Sequence, residues 1–82
     1  LRDIASPERL LSSDQVRQTV TDALQSLPED LRTVITLREI EGLSYDEIAE
    51  VLGCPVGTVR SRIFRAREVI DNRLKTVLQG ID

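Results

Sequence analysis

Arginine recurs four times in the eight-residue segment RSRIFRAR, at residues 60–67, together with one serine. A guanidinium group can donate two parallel hydrogen bonds to guanine or to a phosphate, and a serine hydroxyl can pair with either base type. Residues 56–75 carry six basic and two acidic side chains, whereas residues 1–55 carry five basic and eleven acidic ones. Charge alone favours a solvated helix face, but this local excess on a chain of net charge −3 is also typical of a nucleic-acid-binding surface.

Composition excludes several other kinds of site. The 82 residues predict one domain, and the single cysteine, Cys54, cannot form an internal disulfide framework. The chain has no histidine, which excludes a zinc site built from cysteine and histidine. It has no glycine-rich phosphate loop and no convincing carboxylate pair, so we expect neither an enzyme nor a bound cofactor or metal. No segment resembles a membrane span or signal peptide, and the first residue, Leu1 rather than Met, predicts a piece of a longer protein.

Two helices joined by a tight turn are predicted at about residues 44–73. Ser44 and Glu47 have the spacing of a capping box, which begins a short helix. Gly53 ends that helix and tolerates the positive φ that a helix-turn-helix requires at its turn. Pro55 then begins a last helix that neither glycine nor proline interrupts through residue 79.

The last helix is predicted to have a buried edge and an outward edge. Its apolar residues recur at helical spacing and would pack on the preceding helix: Val56, Val59 and Ile63. Because successive residues rotate by about 100° around a helix axis, another set points outward: Gly57, Thr58, Ser61, Phe64 and Arg65, with Arg60 and Arg62 on the flanks. This mixture of arginines and small polar residues suits the DNA major groove. For Phe64 an alternative is packing beneath the N-terminal helix.

Two further helices are predicted upstream. We interpret residues 1–5 as linker and Ser6-Pro7 as a helix start, with a start near Ser13 as the alternative. This helix carries an apolar stripe: Val16, Val20, Ala23, Leu24 and Leu27. Pro28 can open the next helix, which ends near Gly42 and whose wide apolar arc predicts packing on several sides: Leu31, Val34, Ile35, Leu37 and Ile40. The chain is therefore predicted to be all-α, with a four-helix domain at residues 6–82, a C-terminal helix-turn-helix and no wing.

Three segments together resemble a known family. LPEDLR at residues 27–32, GLSYDEIAEVLGCPVGTV at 42–59 and RSRIFRAR at 60–67 resemble region 4 of the extracytoplasmic-function sigma factors of bacterial RNA polymerase, of the sigma-E type. The resemblance implies a cytoplasmic bacterial domain that recognises the minus-35 element of double-stranded promoter DNA in transcription initiation. It also implies docking on the β flap of the RNA polymerase core and binding by an anti-sigma factor, which could hold the domain near the inner membrane.

The resemblance also assigns roles to individual residues. It implies that four residues read bases and the adjoining backbone: Arg60, Ser61, Phe64 and Arg65. It implies that four others contact the phosphate backbone: Arg38, Tyr45, Gly57 and Thr58.

Each of these roles has a structural alternative. Arg38 could form an ion pair with a glutamate, Tyr45 could pack on the core, and Thr58 could make a local hydrogen bond at the helix start. For Arg62 and Arg67 we expect a solvated face rather than base contact. Cys54 is interpreted as an inert turn residue.

Two other functions are compatible with the same pattern. LuxR-type response-regulator effectors have a similar four-helix domain, but LPEDLRTVITLRE at residues 27–39 fits the sigma pattern better. Alternatively, the acidic first half and the apolar arc ending at Ile40 could serve mainly as a protein-interaction surface. Homodimers on paired half-sites would favour the first alternative.

Overall fold

A computed structural model describes residues 13–79 of the chain. The interpretation of residues 1–5 as linker and of Ser6-Pro7 as a helix start lies outside the described residues, as do the last three residues. Within residues 13–79 the protein has four helices and no strand. They are α1 (Ser13–Ser26), α2 (Glu29–Glu39), α3 (Tyr45–Leu52) and α4 (Val56–Gln79). The all-α prediction with a C-terminal helix-turn-helix is confirmed.

Helix α4 is the element around which the others assemble. Its 24 residues extend about 36 Å at 1.5 Å per residue, and it contacts α1, α2 and α3. The buried side chains of all four elements and their connections form the core: Ala23, Leu27, Leu31, Val34, Ile35, Ile48, Val59, Ile63 and Ala66. No polar or charged side chain is buried within the described part of the chain. Apolar burial therefore holds the fold together.

Two residues of the predicted apolar stripes are exposed. Ile40 is 68% exposed and Val16 is 37% exposed. The apolar arc on α2 is thus narrower than predicted, and Ile40 is the C-cap residue, one position beyond the last helical residue, Glu39. Gly42, with φ +76°, lies beyond the helix end and not directly at its cap.

Pro28 and Pro55 each precede a helix by one residue. Pro28 is the N-cap of α2, and its carbonyl accepts hydrogen bonds from the amides of Leu31 and Arg32. The carbonyl of Pro55 likewise accepts from the amides of Thr58 and Val59 at the start of α4. The predicted starts were therefore each early by one residue.

No helix in the described range is long and apolar enough to cross a membrane.

The difference in burial between two isoleucines predicts a difference in stability. Ile48 is fully buried and Ile40 is largely exposed. We expect Ile48→Ala to lower the free energy of unfolding by about 2–5 kcal/mol, because it leaves a cavity where α3 packs on the core. The control Ile40→Ala should change it by about 0.5 kcal/mol or less. Urea unfolding followed by circular dichroism measures both, and equal losses would contradict this core.

If Ile48→Ala does not fold, Ile48→Val provides the smaller step. Its expected cost is about 0.5–1.5 kcal/mol.

Candidate nucleic-acid interface

The capping box at the start of α3 sets where the helix-turn-helix begins. The Ser44 amide donates to Glu47 Oε1 at 2.8 Å, and the Glu47 amide donates to Ser44 Oγ at 3.1 Å. Both predicted halves of the box are therefore present. Hydrogen bonds from the Ser44 amide and then from its hydroxyl lower the pKa of the Glu47 carboxyl below its ordinary value of 4.5.

The turn between α3 and α4 depends on one glycine. Gly53 has φ +67° and ψ +38°, the left-handed conformation that residues with a Cβ adopt at a cost. Its amide donates to the carbonyl of Ala49, and the amide of Cys54 donates to the same carbonyl at 3.1 Å. This closes α3 and directs the chain into α4 after three residues, as predicted from the sequence.

The N-terminal half of α4 presents the predicted face to solvent. Val59, Ile63 and Ala66 are buried on one side. An open concavity covers the opposite side and is lined by Gly57, Arg60, Ser61, Phe64, Arg65 and Glu68. All six residues are exposed. Sequence reasoning did not include Glu68, although its position one turn beyond Arg65 places it on the same face.

Phe64 does not pack beneath the N-terminal helix. It is 67% exposed and lies outside the apolar core cluster. The packing alternative for Phe64 is therefore wrong, and the ring is available to a partner.

Tyr45 lies between two arginines. The guanidinium carbon of Arg38 is 4.9 Å from the ring centroid of Tyr45, and that of Arg60 is 5.9 Å away. Both distances are within the range of cation–π attraction. Tyr45 is half-buried and packs against the core, as its structural alternative predicted. Its contact with phosphate stays a prediction.

Arg38 makes a backbone contact rather than the alternative ion pair. Its Nη1 donates to the carbonyl of Leu43 at 2.9 Å, and it forms no ion pair within residues 13–79. This hydrogen bond and the Tyr45 ring together hold the guanidinium beside the start of α3.

Gly57 and Thr58 lie in the first turn of α4. A Cβ placed on Gly57 would have no atom within 4 Å, so nothing in the fold itself requires glycine there. The side chain of Thr58 is half-buried. Its amide donates to the carbonyl of Pro55 at 3.0 Å, a bond made by the backbone alone.

Two of the four arginines at residues 60–67 form ion pairs with α2. Arg62 Nε is 3.7 Å from Asp30 Oδ2, and Arg67 Nη2 donates to Glu39 Oε2. The hydrogen bond with Glu39 raises the pKa of Arg67. The expected solvated face for Arg62 and Arg67 is thus an ion-paired face. Arg60 and Arg65, by contrast, form no ion pair within the described residues.

Comparison with known proteins shows which family this chain is similar to. The family model for sigma-70, region 4, matches residues 17–70. The ECF RNA polymerase sigma-E factor of Escherichia coli (strain K12) is 58% identical over 79 residues. The RNA polymerase sigma-H factor of Pseudomonas aeruginosa (strain PAO1) is 62% identical over 79 residues. In both cases the similarity covers 96% of this chain and 41% of the relative, so the chain spans well under half the length of these relatives.

The capping box predicts a pH dependence of stability. Because folding lowers the Glu47 pKa, its contribution is fully present above the ordinary value of 4.5 and is lost as the pH falls through the lowered pKa. We expect Glu47→Gln to unfold more readily than the wild type at pH 7, and the difference to shrink as the pH falls below 4.5. Urea unfolding across this pH range measures the difference. Glu50→Gln, on the same helix outside the box, is the control for charge; a Glu47 difference independent of pH would contradict the assignment.

Proposed function

The chain belongs to the sigma-70 region 4 family, and we propose that it is the domain of an extracytoplasmic-function sigma factor that recognises the promoter minus-35 element in transcription initiation. The observation that carries this proposal is the exposed face of α4 directly after the turn: Arg60, Ser61, Phe64 and Arg65. On this proposal the protein is a non-enzymatic DNA-binding subunit that works in the bacterial cytoplasm. Residues 6–82 would form the domain, with residues 1–5 as linker.

Base reading falls to the first half of α4. Ser61 and Arg65 are one helical turn apart on the same face, about 6 Å along the axis, so they can reach neighbouring base pairs in a major groove. Arg65 has no carboxylate partner within residues 13–79 and is free to donate two hydrogen bonds to guanine. The exposed ring of Phe64 can contact a thymine methyl group.

Phosphate contacts fall to the residues around this face. Arg38 and Tyr45 lie at the end of α2 and the start of α3, where their cation–π contact directs a positive charge to the edge of the interface. Gly57 and Thr58 lie in the first turn of α4, where the positive end of the helix dipole favours a phosphate. Since the fold leaves space at Gly57, the close approach of a DNA backbone is a reason for the missing side chain.

A separate surface is available for protein partners. An apolar groove of about 310 Å³ lies between α1, α2 and α4 and is lined chiefly by Val20, Leu24, Ile35, Ile40 and Ile70. Most residues of the predicted apolar arc on α2 are buried in the core or pack against it, but Ile40 remains exposed at this groove. We propose it as the docking surface for the polymerase β flap or an anti-sigma factor, which could also hold the protein near the inner membrane.

The similarity to sigma factors favours this function over a LuxR-type effector. The segment that distinguished the two possibilities, residues 27–39, lies within the residues that the sigma-70 region 4 model matches.

Two substitutions test base reading. Arg65→Ala and Ser61→Ala should each reduce discrimination between a duplex selected by this chain from random sequences and a scrambled duplex. For Arg65→Ala we expect a loss of about 1–3 kcal/mol, the scale of one bidentate contact to a base. Fluorescence anisotropy at fixed salt measures both affinities.

Lys75→Ala is the matched control for Arg65→Ala, because it removes the same charge from an exposed site farther along α4. It should leave discrimination unchanged. Unchanged discrimination in Arg65→Ala and Ser61→Ala, or failure of the wild-type chain to select any sequence, would refute the proposal.

A further inference from the structure

Helix α2 places a carboxylate beside each of two arginines of the DNA-facing helix. Asp30 lies in the first turn of α2 and pairs with Arg62, whereas Glu39 is its last residue and pairs with Arg67. The two carboxylates are nine residues apart, about 13.5 Å along the helix axis. Arg62 and Asp30 border the exposed face of α4 beside Arg65. Arg67 lies two helical turns beyond Arg60, at the other edge of this face, where it and Glu39 also line the apolar groove.

Stability does not account for these pairs. The side chains of Arg62 and Asp30 are 32% and 51% exposed, and those of Arg67 and Glu39 are 47% and 50% exposed. Ion pairs with this exposure contribute little to the free energy of folding, and salt weakens them further. The buried side chains of the described residues are all apolar, so the fold does not depend on the pairs.

The pairs instead change which arginines can attract DNA. Every arginine that neutralises a phosphate adds affinity for all sequences equally, because it releases counterions whatever the bases are. An arginine already facing a carboxylate adds less of this attraction. Of the four arginines at residues 60–67, Arg60 and Arg65 are left without carboxylate partners within the described residues, and these are the two arginines proposed to read bases.

We propose that Asp30 and Glu39 are specificity-determining residues, which mask Arg62 and Arg67 and thereby lower sequence-independent binding to the DNA backbone. Specificity is the difference between two affinities, so weakening non-specific binding raises it without a new base contact. The inference rests on the proposed function, because it concerns how a DNA-reading face avoids binding every duplex. On this inference, some of the acidic residues of a chain of net charge −3 act directly on the arginines of α4.

Charge-neutral substitutions of the same shape test this role. Asp30→Asn and Glu39→Gln should each raise affinity for a scrambled duplex by about two- to fivefold at low salt, the scale of one surface charge contact. The slope of log K against log salt should steepen by up to about 0.9 per released arginine. Affinity for the selected duplex should rise less, so the ratio of the two affinities should fall.

Two neighbouring carboxylates provide matched controls. Glu29 precedes Asp30 and Glu41 lies two residues beyond Glu39, and neither forms an ion pair within the described residues. Glu29→Gln and Glu41→Gln change net charge by the same amount at nearly the same place. They should raise non-specific affinity clearly less than Asp30→Asn and Glu39→Gln do. If all four substitutions raised non-specific affinity equally, net charge rather than the ion pairs would be responsible, and the inference would be overturned.

A double-mutant cycle separates masking from other effects of Asp30. If Asp30 acts through Arg62, then Asp30→Asn should have little further effect in an Arg62→Gln background. Circular dichroism and urea unfolding establish that every variant is folded. An Asp30→Asn effect that persists without Arg62 contradicts masking.

A decrease in non-specific affinity on Asp30→Asn would show instead that the carboxylate positions Arg62 on a phosphate, which also overturns the inference. If the wild-type chain showed no preference for any duplex, the proposed function itself would fail. Normal discrimination by the wild type with unchanged variants would refute only the masking role.

Discussion

Burial of Val59 and Ile63 against Ile48 and Val34 is the contact on which the rest of the structure depends. These side chains are fully or almost fully buried, and they join α4 to α2 and α3. Once one edge of α4 is buried, the 100° rotation between residues determines which residues point outward. The exposed face of α4 is thus a geometric consequence of core packing, and a rotation of α4 about its axis would remove it.

Local hydrogen bonding makes this packing possible. The capping box at Ser44 and Glu47 begins α3, and the left-handed Gly53 ends this eight-residue helix. The connection to α4 is so short that α4 must cross α3 closely, with the half-buried Ala49 near the turn. Residues whose own stability contribution is small therefore decide the angle at which the exposed face is presented.

Acidic side chains of α2 and arginines of α4 lie next to each other on this fold. The acidic first half of the chain does not simply repel DNA, because Asp30 and Glu39 contact the flanking arginines directly. Tyr45 provides a different environment for Arg60, a polarisable ring that leaves the positive charge unneutralised. Arginines that look alike in the sequence consequently differ in what they can do: some are held by carboxylates and some remain available.

The sequence by itself determined the features that depend on neighbours along the chain. Capping spacing, the glycine at the turn and the apolar period of α4 are local, so they predicted the helix-turn-helix and its outward residues. Tertiary structure alone decided which residues from distant segments meet, as Arg62 does with Asp30 and Arg67 with Glu39, and that Ile40 lies outside the core. Such contacts depend on how whole helices are placed in space, and the periodicity of a single helix does not contain that information.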